Sequence, residues 1–178
     1  MESNKKSAIL LSLIEALGEQ GSWCGETHIQ KATFFLQSLA GVELGLDFIL
    51  YKHGPFSFDL REELSQMRAN QLVDLKPVPP YGPKFSTTEI GSRLLDRFPK
   101  TTAQNKRAVK FVSEHLGPRN VGELERLATA LLVSKDISDP EEGARRMNEV
   151  KPHIDIDAAR KGIEVVNEWK EAYSRTTG

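Results

Sequence analysis

Three runs decide the fold: ETHIQKATFFLQSLAG at residues 26–41, LDFILYKHGPFSFDLREELSQMRANQ at residues 46–71, and LVDL at residues 72–75. In the first, Ile29, Ala32, Thr33, Leu36, Leu39 and Ala40 recur at the spacing of one helical face, and Phe34 and Phe35 widen it until little of the surface is polar. A helix apolar most of the way round must be covered on several sides, so this is the expected central helix. Gly41, free to enter the left-handed region, is expected to end it.

The second run starts with Asp47 to Lys52, whose Phe48, Ile49, Leu50 and Tyr51 predict a strand that His53-Gly54-Pro55 breaks. Ser57 stands where a helix N-cap should, because its hydroxyl can satisfy an orphan backbone N–H. Leu60, Leu64 and Met67 follow on one face, with Asp59, Glu62, Glu63, Gln66 and Asn70 opposite. Leu72 to Leu75 predicts a strand, Pro77 to Pro83 a rigid loop, and Lys84 to Thr87 the antiparallel partner. Thr88 then caps a helix carrying Ile90, Leu94, Leu95 and Phe98. Helix, strand, helix, two-stranded hairpin and helix is the order of a winged helix-turn-helix unit, with the proline loop as its wing.

Around this unit the pattern is helical. Lys5 to Leu17 carries a stripe of Leu10, Leu13, Ile14 and Leu17. From Thr101 onward the chain reads as four more helices. Asn120 with Glu123 three residues later has the form of a capping box, and Asp139-Pro140, Lys151-Pro152 and Asp155 to Asp157 mark further boundaries. The expectation is a mainly α protein: a winged-helix-like unit over residues 1–100, and a helical extension over 101–178 packed on it in one compact domain.

IQKATFFLQ, FILYKHGPFSFDLREEL and the strand–wing–STTEIG ending together resemble the bacterial SocA/Panacea-type domain. GELERLATALL and NEVKPHI resemble its YwgA-like branch in particular. The distinctive elements are the Gln30-Lys31 pair and the run Tyr51-Lys52-His53-Gly54-Pro55-Phe56-Ser57, and the likeness extends over most of the chain. Ala32-Thr33 departs from it, standing where larger aliphatics follow the Gln-Lys pair. The resemblance implies a helical domain on a winged-helix base that acts as an antitoxin, or as an adaptor delivering a toxin to a protease.

The 178 residues suffice for a core without staples. Charged residues make up 28% and hydrophobic ones 39%, ordinary for a soluble globule. With 24 basic and 25 acidic residues the net charge is −1, so no global electrostatic footprint for nucleic acid is present. A single cysteine, Cys24, forms no internal disulfide and fits a reducing compartment. The apolar N-terminal stretch is interrupted by Glu15 and Glu19 and lacks a small-residue cleavage site, and no run is long enough to span a bilayer. The expected location is the cytoplasm.

Few residues have the makings of chemistry. Cys24 and His28, one turn apart, have the residue types of a thiolate–imidazole pair, against the simpler reading of a small buried thiol and a polar residue near a helix start. His153, Asp155 and Asp157 alternate so that an extended backbone would place an imidazole and two carboxylates on one side, as a divalent ion needs, against the simpler reading of an aspartate capping a helix. Neither GxxxxGK[ST] nor GxGxxG occurs, and no catalytic residue, metal or cofactor is assigned.

Two binding readings remain. In a DNA-binding unit the helix after Ser57 would enter the major groove, with Lys52, Arg61, Arg68, Lys76 and Lys84 near phosphates. Asp59, Glu62 and Glu63 on that helix would repel the duplex, and phosphate contacts set affinity. In a protein-binding module the rigid turn bearing Tyr51, His53, Gly54, Pro55 and Phe56 would anchor a partner, with Gln30 and Lys31 beside it. The alternatives are that Tyr51 and Phe56 plug the core, that Gln30 bonds the strand backbone, and that Lys31 pairs with a carboxylate such as Asp59. The preferred reading is a non-enzymatic module that binds another protein, such as a toxin or protease system. A winged-helix DNA-binding regulator is the alternative. No membrane association is expected, and the pattern sets no oligomeric state.

Overall fold

The computed structural model describes residues 2–175. Among them, eight helices and two antiparallel hairpins follow in the order α1 (Ser3–Glu19), α2 (Glu26–Ser38), β1 (Ile49–Tyr51), β2 (Gly54–Phe56), α3 (Phe58–Ala69), β3 (Val73–Lys76), β4 (Lys84–Thr87), α4 (Glu89–Arg97), α5 (Pro99–Leu116), α6 (Val121–Val133), α7 (Pro140–Val150) and α8 (Ile156–Arg175). The protein is mainly helical, with little sheet. Residues 176–178, the end of the expected helical extension, lie outside the described part.

Helix α2 is the centre. Every residue from His28 to Leu36 is buried. It packs on α5 and α6 from the second half of the chain, on α1 from the first, and on β2. Helix α1 lies along α5, and α8 lies along α6 and α7. One continuous apolar cluster runs from Ile9 in α1 to Trp169 in α8. The helices after residue 100 thus close over α2 and share its core.

Local signals set the boundaries. Ser57 Oγ accepts from the Leu60 N–H at 3.1 Å, and Thr88 Oγ1 from the Gly91 N–H at 3.0 Å. The Asn120 side chain accepts from the Glu123 N–H while Glu123 accepts from the Asn120 N–H, both at 3.0 Å. Asp139 caps α7 with Pro140 at its first turn. Gly41 has φ +73.

The structure corrects one local expectation. His53-Gly54-Pro55 does not end a lone strand. Gly54 to Phe56 forms β2, which folds back on β1 in the register Ile49↔Phe56, Leu50↔Pro55 and Tyr51↔Gly54. Only Lys52 and His53 form the turn. A two-stranded ribbon has only edge strands, where a proline without an N–H is tolerated. Gly54, at φ +84, supplies the left-handed residue that tight hairpins use. Strands β3 and β4 pair Val73↔Thr87 through Lys76↔Lys84, bracketing the proline loop.

An aromatic hairpin on a buried ionic clamp

The hairpin β1–β2 has two unlike sides. Its inner side is fixed by polar groups that reach up from the core. Gln30 is fully buried on α2. Its Nε2 donates to the Ser57 carbonyl at 2.8 Å, and its Oε1 accepts from the Ser57 N–H at 2.9 Å. The amide thus mimics a neighbouring strand. Lys31, the next residue, is 1% exposed, and its Nζ donates to the Pro55 carbonyl at 2.8 Å. The expected pairing of Lys31 with Asp59 does not form: Asp59 is exposed at the start of α3, while Lys31 points beneath the hairpin.

Two further residues complete the clamp, neither of them a candidate site residue in the sequence reading. Glu125 on α6 and Lys151 just after α7 are both buried. Lys151 Nζ donates to the carbonyls of Tyr51 at 2.8 Å and Lys52 at 2.6 Å, and lies 3.4 Å from Glu125 Oε1. His153 Nε2 is 3.3 Å from the same oxygen, and His53 Nδ1 is 4.0 Å from Glu125 Oε2. Glu125 Oε1 has no aligned hydrogen bond and is held by charge alone. Burial pushes the Lys31 ammonium down to about 8, the Glu125 carboxylate partly offsetting the loss and Lys151 adding to it. The backbone lies tight on α6. A Cβ on Gly54 would stand 3.0 Å from Thr129 Oγ1 and 3.4 Å from the Glu125 carbonyl.

The outer side is apolar and open. Tyr51 is 48% and Phe58 49% exposed, and Ile49, paired with Phe56, is exposed on the same face, while Leu50 alternates to the other side of the hairpin. Tyr51, Phe56 and Phe58 form a ring of three contacts with centroids 5.5, 5.5 and 5.1 Å apart. The Arg61 guanidinium lies 4.7 Å from the Phe56 centroid and 6.0 Å from that of Phe58, within cation–π range. Its Nε also donates to Glu26 at 2.8 Å.

The seven candidate partner-binding residues therefore divide. Tyr51 and His53 are exposed and Phe56 is half-buried, whereas Gln30, Lys31, Gly54 and Pro55 are buried and support the hairpin from within. Phe58, which the sequence offered only as a helix start, joins the exposed group.

The five basic candidates for DNA are scattered. Lys52 and Arg68 are exposed, Arg61 is engaged by Glu26 and Phe56, Lys76 lies 3.7 Å from Asp74, and Lys84 lies 5.9 Å from the Trp23 ring. On α3, Asp59 and Glu62 face outward, and Glu63 turns inward to Lys6 at 3.7 Å.

No hydrogen bond joins Cys24 and His28 among the described residues. The Cys24 thiol is buried, lies 3.6 Å from the Ile14 carbonyl, and is pushed up by burial. The triplet His153, Asp155 and Asp157 also separates into roles. His153 faces Glu125, Asp155 caps α8 through the Ala158 N–H at 2.8 Å, and Asp157 pairs with Arg160 at 2.6 Å. Among the described residues no group of three or more His, Cys, Asp or Glu is arranged to hold a metal ion, and no helix is long and apolar enough to cross a membrane.

In comparisons with known proteins, no family model matches the chain and no curated protein matches it.

Proposed function

We propose that the protein is a non-enzymatic binding module that docks another protein on the outer face of the β1–β2 hairpin. The observation that carries this reading is the exposed cluster of Tyr51, Phe56 and Phe58, flanked by Ile49 and topped by Arg61. Contiguous exposed apolar surface on a soluble chain marks interaction sites. Aromatic and arginine side chains on a rigid base lose little freedom on binding and dominate interface energies. The clamp of Gln30, Lys31 and Lys151 supplies that rigidity by fixing hairpin carbonyls from below.

The order helix, hairpin, helix, hairpin, helix supports a winged-helix-like unit with β3–β4 as its wing. The Gln30-Lys31 and Tyr51–Ser57 runs support a SocA/Panacea-type role as a cytoplasmic antitoxin or adaptor. Direct DNA binding is the weaker reading, because the outward face of α3 keeps Asp59 and Glu62 and its Arg61 is already paired.

A photo-crosslinking residue at position 58, introduced in the native host, tests the proposal. The expected result is one defined protein adduct that disappears when Tyr51→Ala is added. No adduct, an adduct indifferent to Tyr51→Ala, or salt-sensitive retention on duplex DNA that is lost in an Arg61→Ala, Arg68→Ala double variant would replace it.

A further inference from the structure

The start of α2 opens into a cavity of about 530 Å³ between the proline loop and the start of α6. The volume falls within the range that holds a small organic ligand, roughly 300–1,000 Å³. The N-cap of α2 is Gly25, which offers no side-chain cap. The N–H groups of Thr27 and His28 have no hydrogen-bond partner among the described residues, and both residues line the cavity. Unsatisfied N–H groups at a helix start carry partial positive charge and favour an anion.

A second observation points the same way. The His28 side chain is 8% exposed and lines the same cavity, yet makes no hydrogen bond among the described residues. Its ring nitrogens are not sealed inside the core, so a ligand in the cavity reaches them. Burial lowers the His28 pKa, so the ring is neutral near pH 7 and has one N–H to donate.

Two aromatic rings and one arginine stand among the glycines and prolines of the remaining lining. Trp23 is fixed by its Nε1 donating to the Gly82 carbonyl at 3.0 Å, and Tyr81 meets it edge to face with centroids 4.9 Å apart. Arg119 lines the opposite side, its Nη1 3.2 Å from Glu123. Glu26 also lines the cavity, but Arg61 compensates its charge.

We infer that this cavity binds a small planar aromatic carboxylate, its carboxylate at the Thr27 and His28 end and its ring against Trp23 and Tyr81. The cavity neighbours the docking face through the Glu26–Arg61 pair, but the residues that hold its ligand take no part in that face.

The test is a titration of the ¹⁵N-labelled full chain with benzoate, followed by amide and indole resonances. Benzoate is expected to shift the Thr27 and His28 amides and the Trp23 indole N–H, saturating below about 10 mM. Benzamide, equal in shape but uncharged, is expected to bind about tenfold more weakly or worse. Tyr81→Ala, a substitution at an exposed side chain, is expected to weaken benzoate about fivefold, and His28→Gln by a similar factor. If His28→Gln fails to fold, Tyr81→Ala decides. No shifts at those three groups, equal binding of benzamide, or full affinity in Tyr81→Ala would overturn the assignment.

Discussion

Gln30 grips both backbone polar groups of Ser57, donating to the carbonyl at 2.8 Å and accepting from the N–H at 2.9 Å. Both partners are buried, so no water replaces either bond. Replacing the amide leaves the Ser57 N–H unpaired in the core, at a cost of about 1–3 kcal/mol, while the Ser57 carbonyl keeps the Arg61 N–H at 3.2 Å. Gln30→Leu is therefore expected to lower stability by about 2 kcal/mol, read as a shift of the urea midpoint at unchanged slope. A loss under about 1 kcal/mol would mean that the amide is not what holds β2 to α2.

Lys31 gives the fold a signature at alkaline pH. Its ammonium is held at about 8, against 10.5 for an ordinary lysine. Between those values the unfolded chain keeps a proton that the folded chain has released, so stability climbs as pH rises through the window. Below about 8 both forms are protonated and the burial penalty is present in full. The stability of the native chain minus that of Lys31→Met is expected to rise by roughly 2–3 kcal/mol from pH 8 to 10.5. Taking the difference removes the opposing contribution of Cys24, whose thiol is raised in the fold. A flat difference curve would show that Lys31 is not buried as a cation.

Glu125 is the anion that both buried lysines rely on. Lys151 lies 3.4 Å from it, and Lys31 feels its charge at longer range. Glu125→Leu leaves two like charges buried together, and breaking buried pairs in this way costs about 3–5 kcal/mol. The double variant Glu125→Leu, Lys151→Met is expected to recover part of that loss. Additive losses in a double-mutant cycle would refute the coupling.

Gly91 marks where α4 meets the β3–β4 hairpin. A Cβ there would stand 2.3 Å from the Leu72 carbonyl oxygen and 2.8 Å from Thr87 Cγ2. The Leu72 carbonyl is tied to the Thr88 N–H at 3.1 Å and cannot retreat without losing that bond. Gly91→Ala is expected to destabilise by about 2–4 kcal/mol, although alanine is the better helix former. Thermal unfolding of the variant checks this, and an unchanged or higher melting temperature would contradict it.

Cys24 is expected to resist a thiol reagent in the native state, because it is 1% exposed and its thiol is raised by burial. Labelling should follow global unfolding, slowing as stability rises. Rapid labelling of the folded chain would revive a nucleophilic role for this residue.

What was legible in the sequence was local. Ser57, Thr88 and Asn120 announce helix starts because a cap acts within three residues. The stripe of Leu60, Leu64 and Met67 announces the buried face of α3 for the same reason. Strand β2 was hidden because Gly54-Pro55 carries the composition of a break, and only its partner across the turn makes it a strand. Glu125 and Lys151 were hidden by distance along the chain. Lys151 meets Tyr51 across 100 residues, and no spacing rule connects them. Phe58 was hidden because a residue at the start of a helix gives no hint that its ring stays outside.

The reach of Lys151 bears on how the chain can be divided. From its place after α7 it fastens the carbonyls of Tyr51 and Lys52. A fragment ending near residue 100 would hold every hairpin residue and lack the fastener, along with the α6 surface that Gly54 rests on. Protease-resistance mapping of such a truncation should find cleavage at Lys52, a bond that the intact protein shields by tying down its backbone.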